Sequence, residues 1–308
     1  TNLFSTVKIE KLQLDSTTFD LLIKVKERWY FYPVPVFKLT DRNFNDWWVN
    51  RERDLSRVKY GLRLHKYNFR GLNERLLLVA LFGFENQFIF GYRMPYIEKT
   101  QRHGLEWKVG YKEQNNLAYQ TEDHLPTFIT SRSQKQEVYS GELTHSFRNN
   151  YYNYLRNTLV YYKVNVADTI ATLNPNYLGN GATSQQAFIL RQSFTRDLRD
   201  NRNYALDGHL LFLSAEKVGL GIFNDVDIWR FTGYYDRTSP LGNGWYSKNS
   251  IAGQISTAEQ VSYFNYIGFG YLNYLVRGYE LDVIEGYQNI LSKNEVRKLL
   301  FKGTSNIS

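Results

Sequence analysis

The residues with the most obvious potential for chemistry are five histidines: His65, His103, His124, His145 and His209. No two of them stand at the short spacing a zinc site requires. Asp207-Gly208-His209 and His145-Ser146 contain the residue types of a hydrolytic dyad. Both lie in alternating runs, where a histidine more often packs than reacts. Gly219-Leu220-Gly221 lacks the third glycine and the following helix that hold a dinucleotide pyrophosphate, and no phosphate-binding P-loop is present. There is no cysteine, which excludes disulfides and thiolate metal sites. The sequence therefore reads as non-enzymatic, with no metal and no cofactor.

A second spacing carries backbone chemistry. Pro33 and Pro35 stand two apart in Tyr30-Phe31-Tyr32-Pro33-Val34-Pro35-Val36-Phe37. Alternate residues of a strand direct their N–H groups to the same edge, and proline has none, so a sheet tolerates such a pair only at a free edge. The segment is either an edge strand with two donors deleted or a proline-stiffened linker.

The elements that would position these residues are strands. Val58, Tyr60, Leu62 and Leu64 alternate with Lys59, Gly61, Arg63 and His65. Leu105, Trp107, Val109 and Tyr111 alternate with Glu106, Lys108, Gly110 and Lys112. Val160, Tyr162, Val164 and Val166 form a third apolar face, and Phe188, Leu190 and Phe194 a fourth. Phe88, Phe90, Tyr92 and Met94 align within the more apolar stretch 76–94. Turn signals at Asn68–Asn73, Asn149-Asn150, Asp200–Asn203 and Gly242-Asn243-Gly244 separate the runs. Aromatics make up 17% of the 308 residues, against a single Met, a balance suited to a surface with one wet and one apolar side. Several runs alternate over roughly ten residues, the length of a tilted membrane strand, where soluble strands average about five to six.

No uninterrupted apolar run reaches the ~18 residues of a spanning helix, so a membrane-spanning form of this chain must be a closed barrel. Its apolar faces, including Val58–Leu64 and Val160–Val166, would then meet lipid, and its charged faces would line a hydrated lumen. The polar segments 41–57, 113–137 and 236–250 would be extracellular loops. A soluble aromatic-rich β-sandwich, such as a glycan-binding module, produces the same alternation. The formal charge of +8 is scattered rather than blocked, which argues against nucleic acid as a partner.

Near the C-terminus a glycine-spaced segment, Ile267-Gly268-Phe269-Gly270-Tyr271, precedes Val276-Arg277-Gly278-Tyr279-Glu280. Following a series of amphipathic strands, this string resembles the VRG(F/Y) motif of the BamA/TamA/FhaC superfamily of outer-membrane assembly and secretion barrels. Residues 27–48, from Glu27-Arg28-Trp29 to Trp47-Trp48, resemble the entry to the first barrel strand in that superfamily. Val7–Glu10 and Leu21–Lys26 resemble the last two strands of a POTRA domain, although a plain N-terminal hairpin reads the same way.

The resemblance implies an all-β fold: a transmembrane antiparallel β-barrel, with about twelve of an expected sixteen strands present, preceded by the last strands of a POTRA domain. Residues 1–28 would be that C-terminal part of the POTRA domain, and 29–308 the barrel. The remainder of each, and any export signal, would lie outside this sequence. The loop carrying Val276–Glu280 would fold into the lumen with Arg277 on a carboxylate, the alternative being a surface turn. The strand from Tyr30 to Phe37 would form one side of a lateral gate. The implied task is inserting or exporting β-rich clients. A two-partner-secretion pore, and an outer-membrane porin or enzyme, are the alternatives. Implied partners are outer-membrane lipids and lipopolysaccharide, unfolded β-barrel or secreted client proteins, and accessory lipoproteins. The implied location is the bacterial outer membrane, with the POTRA side periplasmic.

Overall fold

The computed structural model describes residues 3–13, 15, 17–39, 47–48, 52–130, 135–223, 226–257, 261–266, 276 and 283–300. β1 (Phe4–Gln13) and β2 (Phe19–Glu27) form a two-stranded antiparallel sheet of their own. Val7 pairs with Val25 and Ile9 with Ile23 on one face, while Lys8 pairs with Lys24 on the other. There follow β3 (Phe31–Leu39), β4 (Val58–Phe69), β5 (Glu74–Gly83), β6 (Glu85–Met94) and β7 (His103–Gln114). The hairpin β8 (Asn116–Glu122) and β9 (Leu125–Thr130) stands apart as a third sheet. Then come β10 (Gln136–Arg148), β11 (Asn153–Val166), the short helix α1 (Asp168–Leu173), β12 (Ser184–Asp197), β13 (Gly208–Val218), β14 (Ile228–Gly242), β15 (Trp245–Ser256) and β16 (Gln288–Lys298).

β3–β7 and β10–β16 form one 12-stranded antiparallel sheet in which each strand lies beside its chain neighbour. The β8–β9 excursion is the one interruption, and β7 pairs with β10 across it. The two ends of the sheet differ. One end carries short turns at 70–73, 95–102, 149–152, 198–207 and 243–244. Apart from Phe84 and the nine-residue connection 219–227, the other end carries the longer connections 40–57, 115–135, 167–183 and 257–287.

All four turn signals lie at the short-turn end, and local polar groups close these turns. The Asn68 side-chain oxygen accepts from the Asn73 N–H at 2.9 Å, and that of Asn150 accepts from Tyr152 and Asn153. Asn243 has φ 49° between two left-handed glycines, Gly242 and Gly244, a conformation that favours Asn and Gly. At Asp200 burial pushes the carboxyl pKa up, but the backbone N–H groups of Asp207, Leu206 and Asn201 outweigh this and hold it below the usual carboxylate range.

The polar segment 236–250 is not a loop. It comprises the ends of β14 and β15 joined by a tight turn. Its polar residues remain in strands because Asp236, Lys248 and Ser250 face the charged inner side of the sheet, where Lys248 bonds Asp236 at 3.1 Å.

Candidate gate strand and lumenal plug

Following the register from strand to strand gives the sheet one continuous apolar face. Leu62 leads through Ala80, Phe88, Tyr111, Tyr139, Lys163, Gln186 and their alternating neighbours to Leu213, Phe231 and Ile290. Along this outer face large apolar side chains stand open: Leu62 is 39% exposed, Val109 51%, Leu213 49% and Ile290 73%. A soluble sheet would bury such a face.

The opposite, inner face carries paired charges. Glu85 receives Lys59 at 3.2 Å and Lys112 at 2.9 Å. Lys108 bonds Glu142 at 3.1 Å. Glu216 holds Arg191 at 2.5 Å and Arg230 at 2.6 Å. An unpaired charge on a partly buried wall costs several kcal/mol, which accounts for this cross-strand pairing.

The expected outward face Val160, Tyr162, Val164 and Val166 points inward. Val164 is fully buried, and Tyr162 and Val166 nearly so. The outer face of β11 carries Leu155, Leu159 and Tyr161 instead. Both faces of this strand are apolar, so alternation could not assign the side. The inner one is apolar because a plug packs on it. Ile170 of α1, Tyr177, Leu178, Leu117 of β8 and Val261 form one buried cluster with Tyr162, Val164 and Val166.

Polar contacts pin the plug. The Tyr162 hydroxyl donates to Gln185 Oε1 at 2.9 Å, Asn265 Nδ2 donates to the same oxygen at 2.7 Å, and Gln185 Nε2 donates to the Leu178 carbonyl. Arg230 reaches the Asn265 carbonyl at 3.0 Å. The backbone of Tyr263 and Phe264 bonds the Asn176 and Tyr177 carbonyls. The connection 257–287 is thus tied to the inner wall at its start. Near its end Val283, 1% exposed, donates its N–H to the His124 carbonyl at the β8–β9 tip at 2.7 Å. Of the motif between these ties, Val276 is half-buried. Arg277, Gly278, Tyr279 and Glu280 lie outside the described residues. Sequence patterning missed the plug. The apolar second face of β11 was the available signal.

Phe31–Leu39 is a strand of the sheet, not a linker, and it ends the strand order. It pairs with β4, with Pro33 opposite Leu64 and Pro35 opposite Leu62. The phase of the ladder follows from two bonds. Tyr67 N–H donates to the Tyr30 carbonyl at 2.7 Å, and on the other side of β4 Phe84 N–H donates to the Val58 carbonyl at 3.1 Å. In an antiparallel pair, bonded and non-bonded partners alternate. Tyr32, Val34 and Val36 therefore face β4 with their backbone groups, and Pro33 and Pro35 turn theirs to the opposite edge, which no strand among the described residues pairs. Between Phe31 and Phe37 that edge presents carbonyl acceptors and no donor.

His103 and His145 meet as a stacked pair with Nδ1 and Nε2 2.9 Å apart. Among the described residues no three metal-capable side chains converge.

Residues 68–287 match a family model described as the Omp85 superfamily domain. Among solved structures the chain is similar to BamA from Haemophilus ducreyi lacking POTRA domains 1-3. The TM-score is 0.60 at 15% identity, covering 88% of this chain and 50% of that one. It is also similar to CdiB from Escherichia coli, with a TM-score of 0.58 at 12% identity, covering 97% of this chain and 54% of that one. The chain spans about half the length of these structures. Both likenesses are of fold. A search of curated proteins finds no match.

Proposed function

We infer, for a chain that belongs to the Omp85 superfamily, that the protein inserts or exports β-rich client proteins through a lateral gate in a bacterial outer-membrane barrel. The observation that carries this reading is the acceptor-only edge of β3. A client strand that arrives with free N–H groups can donate to the Pro33 and Pro35 carbonyls, a form of strand addition. It receives no bond in return at those positions, so it is held loosely enough to leave. The open apolar belt and the paired lumenal charges support a wall with lipid outside and water inside.

Residues 1–28 act in this reading as the end of a POTRA domain on the periplasmic side. The position of β1–β2 supports this, since they lead into β3 at the short-turn end, and short turns are periplasmic in such barrels. Lipids, lipopolysaccharide and accessory lipoproteins are the surrounding partners. Arg277 works inside the lumen on a carboxylate, a reading supported by the ties that hold both ends of its connection against the inner wall and the plug. Arg277→Ala is expected to lower activity and leave a folded barrel.

The plug also favours a second reading, a two-partner-secretion pore that opens when the plug withdraws. A photo-crosslinking residue at Val34 tests the first. Adducts with membrane-barrel clients support insertion at β3, adducts with a secreted client support export, and no adduct with either removes the gate assignment.

A further inference from the structure

The charges of the inner wall are not evenly matched. Toward the β16 flank each carboxylate holds its cations. Glu216 takes Arg191 and Arg230, Asp236 takes Lys248, Asp197 takes Arg199 and Glu295 takes Arg297. Toward the β3 flank the balance fails. Glu85 is taken up by Lys59 and Lys112 near the long connections. That leaves Glu106 and Glu142 to face Arg63 of β4, Arg75 of β5, Arg93 of β6, Lys108 of β7 and Arg156 of β11, all on the inner face. Lys108 bonds both carboxylates, at 2.8 and 3.1 Å, and Arg93 reaches Glu106 only at 3.8 Å. Arg75 donates instead to His65 Nδ1 at 2.8 Å and lies 5.0 Å from the Tyr67 ring centre. Arg156 lies 5.3 Å from the Tyr154 ring centre.

Arg75 and Arg93 stand directly opposite each other in the register. Like charges so placed weaken a sheet, so the fold alone gives no reason for the pair. A recess of about 170 Å³ opens between Arg75, Arg93 and Lys108. Gly91 keeps it open beside the Lys108 stem, where a Cβ would meet Lys108 Cγ at 3.1 Å. Arg75 is the second residue of β5 and Arg93 the last but one of β6, so both stand at the short-turn mouth. The plug contacts lie toward the other end of the wall, on Tyr162, Val164, Val166 and Gln185. From β4 to β11 the cations cross five strand spacings, ~24 Å at about 4.8 Å each. A small anion covers one such interval. An extended chain at about 3.4 Å per residue crosses them all with about seven residues, and guanidinium groups hold carboxylates through paired N–H donors.

We propose that this cationic row binds an extended acidic segment of a client polypeptide inside the lumen, with side-chain carboxylates on Arg75 and Arg93. The proposal rests on the client-handling reading and gives the client a chemical class. The test uses the full chain purified in detergent, with fluorescence anisotropy as readout. The probes are a labelled peptide of alternating Asp and Thr, the same peptide with Asn in place of Asp, and inorganic polyphosphate as a competitor. The Asp peptide is expected to bind, more weakly as salt screens the charges, and the Asn peptide is not. Arg75→Gln combined with Arg93→Gln should lower the affinity about tenfold or more. Lys163→Gln, which removes a cation from the outer face, should leave it unchanged. The β-sheet circular dichroism signal verifies folding, and if the double variant does not fold, the two peptides on the parent chain still decide. Equal binding of the Asn peptide, or unchanged affinity in the folded double variant, overturns the site. Tighter binding of polyphosphate overturns the assignment to an acidic polypeptide. The two readings fail separately. Client adducts at Val34 without peptide binding overturn this site alone, and peptide binding without adducts leaves this site standing and removes the gate.

Discussion

Replacing Pro33 and Pro35 together with valine restores two N–H donors to the outer edge of β3 without touching its bonds to β4, because both positions face away from that strand. A ladder hydrogen bond contributes a net of about 0.5–1.5 kcal/mol, so two contribute about 1–3 kcal/mol to whichever strand lies against this edge. That shifts a two-state opening equilibrium by about 5- to 150-fold toward closed. The assay compares the rate of client insertion into liposomes for parent and variant, with thermal unfolding as a control. Slower insertion at unchanged or raised barrel stability is the expected outcome. Unchanged insertion, or a barrel that loosens, would show that the two missing donors have no part in opening the wall.

Leu62→Arg places a charge on the exposed apolar belt and should cost about 2–4 kcal/mol near the bilayer midplane, measured by folding into lipid; a neutral result removes lipid from the outer face. Ile170→Ala empties a fully buried position of the plug, and cavity creation of this kind costs about 2–5 kcal/mol. Single-channel recording should then show longer-lived openings, and unchanged conductance would mean the plug is not the barrier. Asp200 has a lowered pKa in the folded state, so its contribution is complete above the unfolded value of about 3.9. It is lost as pH falls through the lower folded value, and Asp200→Ala should therefore flatten the acid limb of the stability profile; an unchanged limb contradicts the turn closure described.

What the sequence disclosed follows from which signals were local. Alternation located the wall strands because one face meets apolar surroundings and the other carries charge, and Asn, Asp and Gly marked the turns because left-handed backbone demands them. Pro33 and Pro35 narrowed their segment to an edge strand or a linker for a similar reason, since proline's missing donor is a local fact, and only the pairing with β4 decides between the two. β11 was misread because its inner face is covered by residues distant in sequence, Leu117, Tyr177 and Val261, and period-2 patterning carries no trace of what lies opposite. The 236–250 segment was misread because polarity alone does not separate a loop from a strand facing a charged interior. Asn265, which ties the long connection to Gln185 and Arg230, has no sequence signature at all.

The neighbour-to-neighbour order of the sheet has a consequence for how the wall is made. Nearly every pairing is between strands adjacent in the chain, so contact order is low for so large a β structure, and assembly can advance hairpin by hairpin from any short turn. The same arrangement makes errors expensive. A slip of one residue inverts a strand, sending Leu211 and Leu213 into the lumen and Glu216 into the bilayer. The Asn- and Gly-centred turns at 70–73, 149–152 and 243–244 act as register stops. Lengthening one of them by a single residue should arrest insertion at that hairpin rather than weaken the finished barrel.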